Sequence, residues 1–332
     1  MSHQLSNRPG AVGLIVNPAS GKDIRRLVTQ GWVVTNHEKG ATVRRLLRGL
    51  EAAGVEQVYY MPDNTGICAG AFSTLAETGP QGIPVEFPMT NRQEDSTTAA
   101  ALMAAAGVSC IITLGGDGTN RAVFKGSGPD TPLLPISTGT NNVFPEFQEG
   151  TTAGYAAGLF AAGKIDLPAA CWRSKVLKIK RAGVMVDLAL VDLAVASDNF
   201  IGAKAIWDVS HLLELFLTRA QPWNIGLSAI GGALGNIPAE GSRGLHLVFG
   251  PGGRVVQAPV GPGLFAEVSI ARKNELEIGV EVPLQFEQTV TLGFDGERDL
   301  VARPGDPLSV ELSAAGPWVL DTRQALTAYK PE

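Results

Sequence analysis

An acidic residue inside a glycine-rich turn is the feature that most constrains the fold of this chain. The turn, Gly115-Gly116-Asp117-Gly118-Thr119, follows a β-branched apolar run from Val108 to Leu114 and precedes a segment, Asn120 to Phe124, that can begin a helix. A strand, a glycine turn and a helix in this order are typical of an open α/β sheet, in which ligands bind at the carboxyl ends of the strands. The sequence therefore predicts a parallel sheet with a ligand site at this turn.

The chemistry of the turn favours a phosphate-bearing ligand. Glycines let the backbone approach a phosphate without an intervening Cβ, and the amides at the start of a helix supply positive partial charge. A carboxylate beside phosphates is repulsive unless it binds Mg²⁺ or accepts a proton from an attacking hydroxyl. Asp117 therefore indicates phosphoryl transfer rather than simple anion binding. The alternative is that Asp117 only caps the following helix, a role that would not need three surrounding glycines.

The pattern of the sequence changes near residue 165. Apolar strand-like runs alternate with helical patterns in residues 1–165, which predicts a parallel sheet with helices on both faces. In residues 166–318, short β-branched segments are separated by Gly/Pro turns, a pattern typical of a β-sandwich. Within that second domain, Ala205 to Leu217 places apolar residues at helical spacing and is predicted to be a helix. We expect residues 319–332 to pack back on the first domain.

Four segments together resemble a known superfamily. Strand-Gly-Gly-Asp-Gly-Thr is the signature shared by NAD kinases, diacylglycerol kinases and sphingosine kinases. Asn17 to Lys22 resembles the first-strand loop of the lipid kinases, and Pro135 to Asn142 resembles their nucleotide loop. Phe294 to Glu297 resembles the Asp-Gly-Glu element of their C-terminal domain. The resemblance implies an NAD kinase-like α/β plus β fold: an N-terminal three-layer parallel-sheet domain, a C-terminal β-sandwich domain, and ATP in the cleft between them.

The resemblance also implies roles for individual residues. Asp117 and Glu297 would be catalytic, and Asp295 together with Asp117 would hold Mg²⁺. The residues implied for nucleotide binding are Asn17, Ser20, Gly115, Gly116, Gly118, Thr119, Thr138, Gly139 and Asn141. Those implied for the acceptor are Asn120, Asn142, Asp192 and Asp198. From the residues alone, Asp295-Gly296 is also a strong signal for a plain hairpin turn.

Departures from the superfamily pattern bear on the substrate. The glutamate that lipid kinases carry after the glycine turn is absent, since Asn120 is followed by Arg121 and Ala122. The acceptor motif of NAD kinases is reduced to Val191-Asp192. A site built to recognise a hydroxyl loses much affinity when its polar partners are missing. Four phrases look most like the branch typified by the acetoin-catabolism protein AcoX, namely Gly115 to Arg121, Ser137 to Asn142, Phe200 to Asp208 and Gly226 to Ile230.

The expected function is an ATP- and Mg²⁺-dependent phosphotransferase that acts on the hydroxyl of a small soluble acceptor, either NAD or an acetoin-related compound. One alternative is a catalytically weak, nucleotide-binding regulatory protein of the same fold. A lipid kinase is a further alternative, although no membrane-docking segment favours it. A dehydrogenase is disfavoured, because no Gly-x-Gly-x-x-Gly opens a helix after the first strand.

Composition narrows the partners and the compartment. The formal net charge of −5 over 332 residues gives no general attraction for nucleic acid or for an anionic membrane. Cys68, Cys110 and Cys171 lie far apart without a metal-binding spacing, which favours free thiols in a reducing compartment. No signal core or membrane span is evident. We therefore expect a cytoplasmic protein whose partners are a nucleotide and a small-molecule acceptor, and a homo-oligomer is common for such folds.

Overall fold

The computed structural model describes residues 10–20, 30–32, 34–75, 79–197 and 209–331, with the backbone alone for residues 297–299. The strands, in chain order, are β1 (Val12–Val16), β2 (Gln57–Tyr60), β3 (Gln81–Pro84), β4 (Cys110–Gly115), β5 (Leu133–Ser137), β6 (Cys171–Arg173), β7 (Val176–Arg181), β8 (Val184–Ala189), β9 (Asp192–Ala196), β10 (Leu212–Leu217), β11 (Arg243–Gly261), β12 (Leu264–Glu277), β13 (Glu281–Pro283), β14 (Val290–Phe294), β15 (Glu297–Ala302), β16 (Leu308–Ser313) and β17 (Trp318–Leu320). The helices are α1 (Asn36–Ala53), α2 (Ile67–Phe72), α3 (Glu94–Ala105), α4 (Asp117–Ser127), α5 (Gly150–Ala161), α6 (Leu167–Ala170), α7 (Ser228–Gly232) and α8 (Thr322–Ala328).

The first sheet has seven strands in the order β3-β2-β1-β4-β5-β17-β6. All its neighbours are parallel except β17 and β6. Alternate residues of β1 enter two different cores: Val12, Leu14 and Val16 pack with α1 and α5, whereas Ile15 packs with α3 and α4. Because side chains alternate across a strand, this division shows helices on both faces of the sheet. The three-layer domain predicted from the sequence is confirmed.

Helix α1 shows how the sequence fixes one of these layers. Thr35 and Glu38 form a reciprocal capping box at its start, and Gly54 ends it with a left-handed φ of 88°. Its buried face packs against α5 so closely that a Cβ on Gly49 would lie 2.2 Å from the Thr151 carbonyl oxygen. Only glycine permits that approach of two helix backbones.

The second part of the chain forms two antiparallel sheets. One has six strands in the order β12-β11-β10-β9-β14-β15, and the other has four in the order β13-β16-β7-β8. Leu177 and Ile179 of β7 share a core with Leu193 and Val195 of β9, so the two sheets pack face to face. This arrangement confirms the predicted β-sandwich.

Two strands tie the ends of the second part into the first sheet. β6 and β17 pair with each other, and β17 also pairs with β5. Helix α8 then packs against α5 and α6. The domain boundaries proposed after residues 165 and 318 stay predictions. The strands nearest to them, β6 and β17, both lie in the first sheet.

The predicted helix from Ala205 to Leu217 is wrong where the structure describes it. Residues 205–208 lie outside the described residues; Val209–His211 form a single 3₁₀ turn, and Leu212–Leu217 form strand β10. β10 lies between β9 and β11 and is buried on both faces: Phe216 enters one core, and Leu215 and Leu217 enter another. A strand buried on both faces is largely apolar, and β10 has Glu214 as its one polar residue, so its composition does not show the two-residue period.

Within the described residues, no helix combines the length and the apolar character needed to cross a membrane.

Candidate functional site

Side chains from three separate loops meet at the carboxyl ends of β1, β4 and β5. The Asn17 side-chain nitrogen, Nδ2, donates to Thr119 Oγ1 at 2.9 Å, which joins the loop after β1 to the glycine turn after β4. The Ser20 and Thr138 hydroxyl oxygens are 2.8 Å apart, which joins the same loop to the one after β5. The structure therefore brings together the polar side chains that the sequence placed in one nucleotide site.

The glycines of the turn allow this close approach. A Cβ on Gly115 would lie 2.5 Å from the Thr119 Cβ, and one on Gly116 would lie 2.7 Å from Asn142 Oδ1. Gly118 lies in the first turn of α4, and its carbonyl oxygen accepts from Gln93 at 2.8 Å. The turn is thus packed tightly by its own neighbours, with no room for larger residues at its first two positions.

Asp117 is the first residue of α4 and is buried, with 9% of its surface exposed. Its carboxylate accepts from the Phe144 N–H at 2.8 Å and from the Val143 N–H at 3.1 Å to each oxygen. The N-cap position of the helix is Gly116. Asp117 thus connects the glycine turn to the end of the loop after β5, rather than serving as the N-cap.

Asn120 and Asn142, the two asparagines expected to contact an acceptor, form hydrogen bonds within the protein that stabilise the glycine turn and the loop after β5. Asn120 is fully buried; it accepts from Thr113 Oγ1 at 2.6 Å and donates to the Gly116 carbonyl oxygen at 2.9 Å. The Asn142 side-chain nitrogen donates to Ser137 Oγ at 2.8 Å and to the Gly139 carbonyl oxygen at 3.2 Å. Asn120 offers no exposed atom to a ligand in this arrangement.

Asn141 is different, because its Oδ1 is buried without a hydrogen-bond partner. A Cβ on Gly226 would lie 3.4 Å from this oxygen, and Gly226 has a φ of 78°. A buried amide oxygen without a donor is costly, and it indicates a missing hydrogen-bonding partner. A hydroxyl group of a ligand in the cleft would supply that donor.

Asp295 forms the turn that the hairpin reading of the sequence predicts. Phe294 pairs with Glu297, and the two residues between them, Asp295 and Gly296, have positive φ of 51° and 80°. The Asp295 carboxylate accepts from the amides of Leu190 at 3.0 Å, of Val191 at 2.7 Å and of Asp192 at 3.2 Å. Burial raises the pKa of Asp295 to about 6, although Arg121 and the amide donors act in the opposite direction.

Asp192 lies directly beside this turn. It is buried at the start of β9, and its carbonyl oxygen accepts from the Asp295 N–H at 2.9 Å. Of the remaining expected site residues, Asp198 lies outside the described residues. Glu297 is described only by its backbone in β15.

Arg219, which sequence reasoning missed, comes from the second domain and lies against two aromatic rings, Phe144 in the loop after β5 and Trp172 in β6. Its guanidinium carbon lies 5.1 Å from the Phe144 ring centroid and 5.5 Å from that of Trp172, and Nη2 donates to Ser174 Oγ at 2.7 Å. Burial lowers its pKa to about 10, while the charges of Asp117, Asp295 and Glu146 act to raise it. Arg219 therefore supplies positive charge beside both aspartates.

Arg121 makes the opposite crossing, from α4 into the second domain. Its Nε donates to the Leu188 carbonyl oxygen at 2.9 Å, and Nη2 pairs with Asp187 at 2.8 Å. The guanidinium carbon lies 4.7 Å from the centroid of the Phe294 ring. The residue that replaces the lipid-kinase pattern after Asn120 therefore fixes the two domains together.

Lys39 is a third residue that the sequence did not single out. It is fully buried in α1, and its Nζ donates to the carbonyl oxygens of Asn17 and Ser20, both at 2.8 Å. A longer contact of 3.4 Å joins Nζ to the Pro18 carbonyl oxygen. The lysine thus holds the loop after β1 in place, because the carbonyl oxygens of this loop point toward its ammonium group.

The donor set limits how Mg²⁺ would be held. In the described part of the chain, no three His, Cys, Asp or Glu side chains lie close enough together to hold a metal ion. Mg²⁺ usually keeps several waters and is bound by one or two carboxylates together with substrate phosphates. Both aspartates are buried, but the Asp117 carboxylate accepts from two amides and that of Asp295 from three, so Asp117 fits that kind of site better.

Two family models match parts of the chain. Residues 12–165 match the ATP-NAD kinase N-terminal domain, and residues 175–315 match the acetoin catabolism protein X C-terminal domain. The chain is 38% identical over 314 residues to acetoin catabolism protein X of Cupriavidus necator, covering 91% of this chain and 87% of that protein. It is 25% identical over 245 residues to an NAD kinase of Oleidesulfovibrio alaskensis, covering 67% of this chain and 75% of that protein.

A solved NAD kinase from Archaeoglobus fulgidus in complex with ATP is 12% identical to this chain, with a TM-score of 0.41 over 96% of each chain. The family of the chain follows from its 38% identity to acetoin catabolism protein X over nearly the full length of both proteins. The chain belongs to the acetoin catabolism protein X family, and its N-terminal domain is of the NAD kinase type.

Proposed function

We propose that this protein is a phosphotransferase that transfers a phosphoryl group from ATP, with Mg²⁺, to the hydroxyl of a small acceptor. The observation that carries the proposal is the convergence of hydroxyl and amide side chains from three loops, Asn17 with Thr119 and Ser20 with Thr138, next to Asp117. The NAD kinase-type N-terminal domain supports the same reaction class.

The hydroxyl pairs are suited to hold phosphate oxygens. Ser20 Oγ and Thr138 Oγ1 share one hydrogen bond of 2.8 Å, and Ser20 Oγ also donates to the Asn17 carbonyl oxygen at 2.8 Å. Each hydroxyl can rotate to donate to a phosphate instead. Neutral donors of this kind position a phosphate without fixing its identity. The loops alone therefore do not distinguish ATP, GTP and inorganic polyphosphate as the donor.

Asp117 is the residue proposed to act on the acceptor hydroxyl. The Val143 and Phe144 amides orient its carboxylate, and amide donors favour the charged form of a carboxylate. In the proposed step the acceptor oxygen forms a bond to the γ-phosphorus, the bond from that phosphorus to the β-phosphate oxygen breaks, and ADP leaves. The acceptor proton passes to the Asp117 carboxylate, which later releases it to solvent.

Mg²⁺ would be held by Asp117 and the donor phosphates, and it would neutralise charge that develops on the transferred group. The protein itself contributes a second source of charge stabilisation. The charge of Asp117 acts to raise the pKa of Arg219, whose buried guanidinium group lies against the Phe144 ring. We assign Arg219 a positioning role rather than direct contact with the phosphates.

The acceptor side of the cleft is proposed to lie beside the point where Asn141 and Gly226 meet. The partnerless Asn141 Oδ1 would accept a hydrogen bond from a hydroxyl of the ligand. This preference suits a polyol or a ribose, and hence either NAD or an acetoin-related diol. Asp192 and Asn142 stay candidates for further contacts on this side, while the burial of Asn120 favours a supporting role.

One observation favours a regulatory nucleotide-binding protein as the second candidate. Asp295, the other carboxylate that the superfamily resemblance brings to the cleft, is buried in a hairpin turn and accepts from three amides. A site that relies on Asp117 alone has fewer charged groups for catalysis. In that case nucleotide would bind without transfer to any acceptor.

A transfer assay separates the two functions. Mg²⁺-dependent transfer from ATP is measured to a panel of NAD, acetoin-related diols, small sugars and diacylglycerol. Asp117→Asn serves as the inactive variant and Asp166→Asn, which changes an exposed helix cap away from the turn, serves as the matched control. Transfer to one acceptor that is lost only in Asp117→Asn supports the phosphotransferase and names its substrate. Tight ATP binding without transfer across the panel supports the regulatory protein instead.

A further inference from the structure

Two large aromatic side chains are exposed beside the nucleotide loop. Trp32 is 58% exposed and Phe147 is 56% exposed. Their ring centroids are 6.4 Å apart, with 29° between the ring planes. Covering aromatic surface is strongly favourable, and stacked rings prefer a further planar partner over open water. The pair therefore offers an apolar face to a flat ligand.

Both rings are attached to the loop that carries Thr138. The Trp32 N–H donates to Thr140 Oγ1 at 3.1 Å, two residues beyond Thr138. Phe147 follows Glu146, whose carbonyl oxygen accepts from the Ser137 N–H at 2.8 Å. The aromatic pair thus borders the same loop whose hydroxyl is proposed to hold phosphate.

The second domain also contacts the segment that carries Trp32. The Gln30 N–H donates to the Pro262 carbonyl oxygen at 2.8 Å, at the tip of the hairpin formed by β11 and β12. A Cβ on Gly263 would lie 3.2 Å from the Gln30 side chain. The segment that carries Trp32 is therefore bound by the first domain through Thr140 and by the second domain through this tip.

We propose that Trp32 and Phe147 form a stacking platform for the base of the phosphate donor, so that the donor is a nucleoside triphosphate rather than inorganic polyphosphate. This inference rests on the proposed function, because it requires the donor phosphates to bind at the glycine turn. A nucleobase presents a flat π-face that matches an exposed ring, whereas a polyphosphate chain has no apolar surface to place there. Stacking tolerates any base, so the platform predicts little discrimination between ATP and GTP.

The test compares ligands with and without a base. Binding of ATP, GTP and inorganic tripolyphosphate, each with Mg²⁺, is measured by calorimetry for the wild type and for Trp32→Ala, Phe147→Ala and Trp32→Phe. Val184→Ala, at a residue 69% exposed on β8, is the surface control. Stacking on an aromatic side chain contributes about 1–3 kcal/mol per base, so Trp32→Ala should weaken ATP and GTP binding by about 5- to 150-fold.

The pattern across ligands decides the outcome. The proposal expects unchanged tripolyphosphate binding in Trp32→Ala, a similar selective loss in Phe147→Ala, and near wild-type ATP binding in Trp32→Phe and Val184→Ala. Equal losses for ATP and tripolyphosphate, or no loss for either, would overturn the platform alone. The same holds if the wild type binds tripolyphosphate as tightly as ATP, or if Trp32→Ala only separates a dimer in sedimentation. A wild type that binds neither ligand would overturn the proposed function together with the platform.

Discussion

Arg121 and Arg219 cross between the two domains in opposite directions. Arg121 leaves α4 and binds Leu188 and Asp187 of the second domain, whereas Arg219 leaves the second domain and stacks on Phe144 beside Asp117. The charge of Asp295 interacts with both guanidinium groups. The two aspartates of the cleft are thus compensated by two arginines, one from each domain, and domain contact and site electrostatics depend on the same residues.

Loss of either arginine should therefore destabilise the whole chain. Asp187 keeps Lys125 at 2.9 Å when Arg121 is removed, and Arg219 donates to the neutral Ser174 hydroxyl at 2.7 Å, so neither loss leaves a buried charge wholly uncompensated. We expect Arg219→Met and Arg121→Met each to lower the free energy of unfolding by about 1–3 kcal/mol. Chemical denaturation measures it, with the exposed Arg303→Met as a control that should change it by less than about 0.5 kcal/mol.

The double variant gives a sharper result. Because both arginines interact with Asp295, the cost of Arg121→Met with Arg219→Met should differ from the sum of the single costs by more than about 0.5 kcal/mol. Additive costs would show that Arg121 and Arg219 contribute independently to stability, and this result would contradict the expected coupling through Asp295.

Asp295 makes stability depend on pH in a defined direction. Its pKa in the folded protein is raised to about 6 by burial, above the ordinary value of 3.8. Between these values the folded state binds more protons than the unfolded state, so this group's contribution is fully present below the unfolded pKa and is lost as the pH rises through about 6. The loss approaches about 1.4 kcal/mol per pH unit within that window.

The comparison that isolates this effect uses Asp295→Asn. Unfolding free energies of the wild type and the variant are measured from pH 4 to 8, and their difference should change in the wild type's favour as the pH falls through about 6. Asparagine cannot accept all three amide bonds, so the variant should also be less stable at every pH. A difference that is constant with pH would contradict the raised pKa of Asp295.

Lys39 should control the shape of the loop after β1. Its ammonium group is bound by the carbonyl oxygens of the half-buried Asn17 and Ser20. Its loss removes a charged donor from both oxygens, although that of Asn17 keeps the Ser20 hydroxyl. We expect Lys39→Met to lower the free energy of unfolding by about 2–4 kcal/mol and to weaken ATP binding at least about tenfold. The exposed Lys164→Met should change neither quantity. Unchanged ATP affinity in folded Lys39→Met would separate this loop from the nucleotide site.

The site follows from the sequence where its residues lie in short local motifs. The glycine turn, the loop after β1 and the loop after β5 each combine a strand end with Gly, Ser, Thr or Asn, and the parallel sheet brings such strand ends together. The hairpin at Asp295-Gly296 was predicted for the same reason, because its signal lies in two adjacent residues.

The missed residues act over long separations in the sequence. Arg219 contacts Phe144 and Trp172, and Arg121 contacts Asp187, so neither pairing leaves a local pattern. Lys39 lies on a helix where a lysine normally indicates a solvated face. Strand β10 was mistaken for a helix because it is apolar toward two cores at once. Tertiary packing decides each of these cases.

The central claim is that the nucleotide phosphates bind at the glycine turn, and a single added methyl group tests it. Gly116→Ala places a Cβ 2.7 Å from Asn142 Oδ1, whereas Gly70→Ala on α2 meets nothing within 4 Å. Calorimetric titration of Mg²⁺-ATP is measured on the wild type and on both folded variants. We expect binding by the wild type and Gly70→Ala, with at least about a tenfold loss in Gly116→Ala. Equal ATP affinity in all three proteins, or no binding by the wild type, would contradict the assignment.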